Sequence, residues 1–185
     1  MGQYYYVINP QKKEYLHPHV FGNGLKLMEF GCSSCSTLTG LALLLADKNT
    51  NGRGGGDFYL PFRGTNGFFE TPESEVMHQE VIIDNLKTIL NSPPPKDFLK
   101  DLDKKYIQAL YATYFGRWHG DSIKIVGDYG DEDEHGVNDY QRANEEYEDI
   151  SRMVLLLIAQ DSYVFELQEN KSYRSLIDRI FNVKD

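Results

Sequence analysis

Apolar and polar positions change period several times along the chain, and each change marks an element. Residues 4–8 form an aromatic and β-branched run, which predicts a strand. Asn9-Pro10-Gln11-Lys12 follows as a turn with proline second. Residues 13–16 predict a second strand, so the chain opens on a hairpin. Leu25, Leu27 and Glu29 alternate with Lys26, Met28 and Phe30, which predicts a third strand. Leu38, Leu41, Ala42 and Leu45 then recur at helical spacing behind Ser36 or Thr37 as cap, predicting a helix over 37–47. Ile82, Leu86 and Ile89 predict a helix over 75–90, closed by Pro93-Pro94-Pro95. Leu99, Leu102, Tyr106 and Leu110 predict another over 96–114, stopped at Gly116. Residues 122–126 read as a strand with Ile123 and Ile125 on one face. Residues 138–160 read as helical with a break near Ser151, although the apolar run 153–159 also fits a buried strand. Tyr163, Phe165 and Leu167 alternate as a strand, and Ser172 caps a last helix ending near Asn182. Residues 57–72 carry proline, glycine and aromatics without period and read as loop. The order predicts an α+β fold in one domain, 1–185: a small, mainly antiparallel sheet with an N-terminal hairpin, packed by four to five helices.

Composition adds little to that picture, and charge adds more. The 185 residues are 41% hydrophobic and 25% charged, ordinary for a globular domain, which excludes disorder or collagen as a whole-chain class. Net charge is −9, and it is segregated. Residues 128–149 hold ten acidic side chains and one basic, Arg142, whereas the rest of the chain is balanced. No basic face is available for nucleic acid or for an anionic membrane. A basic protein partner or a metal cation fits the acidic segment better, and a partner or a second copy of the chain fits the aromatic loop 57–72. The N-terminal residues lack the basic and apolar regions of a signal peptide, and no apolar run approaches a membrane span. The expectation is a soluble, intracellular protein that is not secreted and needs no cofactor.

Few residues carry recognisable chemistry. Cys32-Ser33-Ser34-Cys35 lies between a predicted strand and a predicted helix, where a helix N-terminus lowers a thiol pKa. The same pair is half of a zinc site that His17 and His19 could complete. Asp131 and Asp133 sit in an acidic turn with Gly136 at the sixth calcium-loop slot, but the twelfth is Arg142 where a glutamate is required. His119 and Asp121 precede the strand that Asp128 ends, a pattern open to general acid–base work. Trp118 is the only tryptophan and is a candidate ligand contact beside Arg117. Phe58, Tyr59, Phe62, Phe68 and Phe69 concentrate in the loop 57–72 and are candidate partner contacts.

Two segments carry a resemblance. Met1–Tyr6, Asn9, Lys13-Glu14-Tyr15-Leu16 and Gly24-Leu25-Lys26-Leu27-Met28-Glu29, with the later Gly116-Arg117-Trp118 and Gly127-Asp128-Tyr129, resemble the landmarks of a family of small proteins with no assigned activity. The resemblance implies that the two segments meet in the fold, placing Glu29, Trp118 and Asp128 together. Relative to shorter members, residues 57–115 read as a helical insertion. The expected function is a non-enzymatic binding or assembly module that uses the aromatic loop and the acidic segment. The alternatives are a hydrolase or metal-assisted enzyme around Asp128, His119 and Glu29, and a thiol or metal site at the two cysteines.

Overall fold

The hairpin forms as its sequence dictates. In a computed structural model, which describes residues 3–32, 35–47, 73–95, 98–160 and 173–181, strand β1 is Tyr5–Asn9 and β2 is Glu14–Leu16. They pair antiparallel, with Val7 opposite Leu16 and Asn9 opposite Glu14. Asn9 closes the turn between them, its Oδ1 accepting the Gln11 and Lys12 N–H groups at 3.0 and 3.1 Å. Strand β3, Lys124–Gly127, pairs antiparallel with the other edge of β1, Tyr5 opposite Gly127. Strand β4, Glu148–Asp149, pairs parallel with β2, giving the order β3-β1-β2-β4. The sheet is therefore mixed and mainly antiparallel, and the fold is α+β.

Helices follow the apolar stripes. Helix α1, Thr37–Leu45, is capped by Ser36, whose hydroxyl accepts from the Thr39 N–H at 3.2 Å. Helix α2 is Glu73–Leu90, α3 is Phe98–Asp101, α4 is Lys104–Tyr114 and α5 is Asp139–Glu146. Helix α6, Ser151–Ala159, and α7, Tyr173–Phe181, complete the described set. Every residue of α6 from Met153 to Ala159 is buried. A helix apolar all round carries no period, which is why its sequence fitted a buried strand equally well.

The sheet separates two apolar clusters. Val7 and Leu16 point to the larger one, which α1, α2, α4, α6 and α7 share through Leu44, Leu86, Leu110, Leu155 and Ile180. Tyr6, Ile8 and Tyr15 point to the opposite face, where Ala143 of α5 covers them with Val126, Tyr140 and Tyr147 alongside. Residues 81–90 and 98–115, read from sequence as part of an insertion, supply side chains to the larger cluster.

Several expectations need correction. Residues 25–30 form no strand; Leu27–Glu29 is a 3₁₀ turn, because the Glu29 carboxylate folds back to accept the Lys26 N–H at 3.1 Å. The helix expected over 96–114 is broken at Leu102–Asp103, where Asp103 takes the Lys105 N–H and starts α4. The break expected near Ser151 is present: α5 ends at Glu146, β4 intervenes and α6 starts at Ser151. With these breaks, six helices of eight residues or more stand among the described residues, against the four to five expected. Ile123, just before β3, is half-buried and packs against the larger cluster, and Ile125 is 47% exposed. The predicted strand at 163–167 and the aromatic loop 57–72, with Phe58, Tyr59, Phe62, Phe68 and Phe69, lie outside the described residues.

Candidate functional site

The best-connected polar centre is built on Glu14. Leu16 and Glu14 lie on the same side of β2 by strand alternation, and both are buried. The Glu14 carboxylate receives Arg117 Nε at 2.8 Å and Arg117 Nη2 at 2.5 Å on Oε1. Its Oε2 receives Trp118 Nε1 at 2.7 Å. A turn at 115–120 presents both partners, pinned to the end of α1 by Gly116 N–H to Leu43 and Trp118 N–H to Leu44. Burial pulls the Arg117 guanidinium down, but the Glu14 hydrogen bonds and charge more than offset it and hold it above its ordinary value. Burial pushes the adjacent Tyr114 phenol up. The two landmark segments do meet, through Glu14 and not through Glu29. Trp118 is fully buried here, so its placement is that of a packed anchor and not of an exposed ligand contact.

The other acid–base candidates are each held by their own local partners. Asp121 Oδ2 takes Asn9 Nδ2 at 2.8 Å and Lys12 Nζ at 2.7 Å, fastening the hairpin turn to β3. Those two hydrogen bonds hold its carboxyl below the usual value. Asp128 accepts the Tyr4 N–H at 3.0 Å. His119 sits at the end of α1, with Nδ1 3.3 Å from the Leu45 carbonyl oxygen and Nε2 3.9 Å from Asp47. Glu29 closes its own turn. These four groups share no hydrogen-bond partner among the described residues.

The metal candidates are dispersed. Cys32 is exposed and Cys35 is buried, and no disulfide joins them. The His17 and His19 rings lie 5.4 Å apart at a tilt of 55°, with His17 beside Tyr6. Asp133 Oδ1 accepts the His135 and Val137 N–H groups at 2.8 and 3.1 Å, and its Oδ2 pairs with Arg142. These backbone bonds hold its carboxyl low and make it the clasp of the acidic loop, while Asp131 is exposed beside it. Among the described residues no group of three or more His, Cys, Asp and Glu is arranged to hold a metal ion.

A phenol and imidazole cluster escaped sequence reading. Tyr6 stacks on Tyr140 at 4.1 Å and lies 5.1 Å from Tyr15 and 5.0 Å from His17. Burial pushes the Tyr15 phenol up to about 12, with Asp149 and Tyr140 adding to it. Burial also lowers His17, against the opposing pull of the Asp149 charge. Ser151 Oγ links the pieces, accepting the His17 N–H at 2.7 Å and donating to Asp149 Oδ1 at 2.5 Å. The signal was available in the alternation of Tyr6 and Ile8 with Tyr15, which places them on one sheet face.

The acidic segment divides into two groups. Asp133, Asp139 and Glu148 pair with Arg142, Lys124 and Lys87. Asp131, Glu132, Glu145 and Glu146 are exposed and form no ion pair among the described residues. They sit on the loop after β3 and on α5, which covers the outer sheet face. No helix among the described residues is long and apolar enough to cross a membrane. Comparison of the chain with protein-family models, with curated proteins and with solved structures gives no match.

Proposed function

We propose that this protein is a non-enzymatic binding module that presents an acidic surface to a basic protein partner. The observation that carries the reading is the split within residues 128–149. Some of its carboxylates hold the fold, whereas Asp131, Glu132, Glu145 and Glu146 face solvent without cations. Clustered like charges destabilise a fold by self-repulsion, and they steer an oppositely charged partner. The aromatic residues Phe58, Tyr59, Phe62, Phe68 and Phe69 enter the proposal from sequence alone, as the apolar part of the contact. Self-association through that loop is the second form of the same reading.

The test uses a fluorescent sixteen-residue lysine peptide and two charge-matched variants. Glu132→Lys with Glu145→Lys alters the acidic surface. Glu80→Lys with Asp84→Lys makes the same charge change on exposed positions of α2. The first pair is expected to weaken binding about tenfold more than the second at 0.1 M salt. Equal loss in both would reduce the surface to bulk charge and sink the proposal. Phe68→Ser with Phe69→Ser, followed by native mass spectrometry, tests the self-association form.

A further inference from the structure

We propose that the outer edge of β3 is a docking edge for an extended, positively charged peptide, which joins the sheet as a fifth strand beside Ile125. The inference rests on the acidic-surface reading and gives that surface a mode of binding. Strand β3 ends the sheet, and among the described residues no strand pairs with its outer side. The ladder fixes which groups face outward. Asp128, opposite Tyr4, donates its N–H to the Tyr4 carbonyl at 3.0 Å. Antiparallel ladders alternate, so Val126 and Lys124 also bond to β1, opposite Tyr6 and Ile8. The N–H and C=O of Ile125 therefore point away from the sheet. The Gly127 carbonyl, also outward, is taken by the Gly130 N–H at 3.0 Å, which limits the open edge to the Ile125 side.

The usual protections of such an edge are weak here. Edges are commonly blunted by free lysines, proline or bulges. The one lysine of β3, Lys124, is neutralised by Asp139 at 2.8 Å, and the strand has no proline. Ile125 is 47% exposed, and Tyr129 is 64% exposed just beyond the strand. Charge names the occupant. The chain continues from β3 directly into Asp128, Asp131, Glu132, Asp133 and Glu134, and the nearby Arg142 is already held by Asp133. An added strand gains backbone hydrogen bonds from Ile125, an apolar cross-strand neighbour there, and attraction for lysines at alternate positions. A second copy of this chain would bring its own −9 charge to the same place.

The experiment is fluorescence anisotropy of a labelled heptapeptide of alternating lysine and valine against the full chain. Two further peptides of equal charge carry N-methyl groups on one or the other set of alternate amides. Binding is expected for the parent and for one methylated peptide, with at least tenfold loss for the other. Ile125→Pro removes an outward N–H that the β1 ladder does not use, so the sheet should persist and binding should fall at least tenfold. Far-UV circular dichroism and thermal unfolding check the variant, and the methylated peptides leave the protein untouched. Equal binding by all three peptides, or no loss in Ile125→Pro, overturns the docking edge while leaving the acidic-surface reading in place. Absence of binding by every heptapeptide overturns it too, and the lysine sixteen-mer then decides the broader reading separately. A peptide-free dimer that Ile125→Pro dissolves would overturn it in favour of a second copy.

Discussion

Glu14 shows how one side chain can hold distant parts of the chain together. Its carboxylate is nearly inaccessible and is satisfied by Arg117 and Trp118, about a hundred residues away in sequence. Removing one partner of a buried pair leaves the other charged and incompletely solvated. Arg117 keeps a third of its side chain exposed, so the penalty falls at the lower end of the usual range. Glu14→Ala is expected to cost about 3 kcal/mol in urea unfolding, against about 1 kcal/mol for Trp118→Phe, which loses one hydrogen bond. Glu14→Ala combined with Arg117→Met should cost clearly less than the sum of the single changes, because both remove the same interaction. Additive costs would show that the pair is not coupled. From sequence, Glu14 follows two lysines in a hairpin and reads as a surface residue. Only its alternation with the buried Leu16 pointed inward, and no local pattern names partners so far along the chain.

Elements were legible where capping and period agreed, and illegible where a side chain overrode the period. Ser36 and the leucines of α1 coincide with the observed helix, and Asn9-Pro10 with the hairpin turn. The stripe of Leu99, Leu102, Tyr106 and Leu110 runs unbroken through sequence, yet Asp103 bonds the Lys105 N–H and restarts the helix. Residues 25–30 alternate like a strand, but the Glu29 hook makes a turn and leaves Met28 88% exposed. A further local device governs the 3₁₀ turn Pro18–Phe21, whose cap is the His17 imidazole: Nδ1 accepts the His19 N–H at 3.3 Å. Only the unprotonated nitrogen can accept, and burial has lowered the His17 pKa from its ordinary 6.5. The facing groups are Tyr6, His19 and Asp149, the last pulling the other way. Above pH 6.5 the imidazole is neutral both folded and unfolded, and its contribution is complete. As pH falls below 6.5 the unfolded chain binds the proton first, so stability declines until the folded value is passed. His17→Asn keeps a cap acceptor that does not titrate. It is expected to flatten this part of the stability profile between pH 7.5 and 5, measured by urea unfolding; an unchanged slope would assign the dependence to other groups.

Across the whole molecule, helices that share little sequence proximity are joined at their C-terminal ends by Arg152. This residue lies in the first turn of α6, the buried helix against which α1, α4 and α7 pack. Its Nε donates to the Ile180 carbonyl of α7 at 2.6 Å, Nη1 to Asn91 Oδ1 at 3.0 Å, and Nη2 to the Leu90 carbonyl that ends α2. One guanidinium thus satisfies terminal carbonyls of two helices and places positive charge at the negative ends of both dipoles. Burial lowers its pKa, but arginine stays charged at any working pH, so the cap does not switch. Lysine has a single nitrogen and cannot reach both ends with the same planar fork. Arg152→Lys is expected to cost about 1–2 kcal/mol, and Arg152→Met about 2–3 kcal/mol, with the carbonyls of Leu90 and Ile180 left to water or unpaired. The distinguishing readout is amide hydrogen exchange. Protection should fall together at the ends of α2 and α7, while β1 and β2 keep theirs. Loss confined to one helix would mean that the second is held by apolar packing of Ile177 and Ile180 alone, and that Arg152 caps without joining.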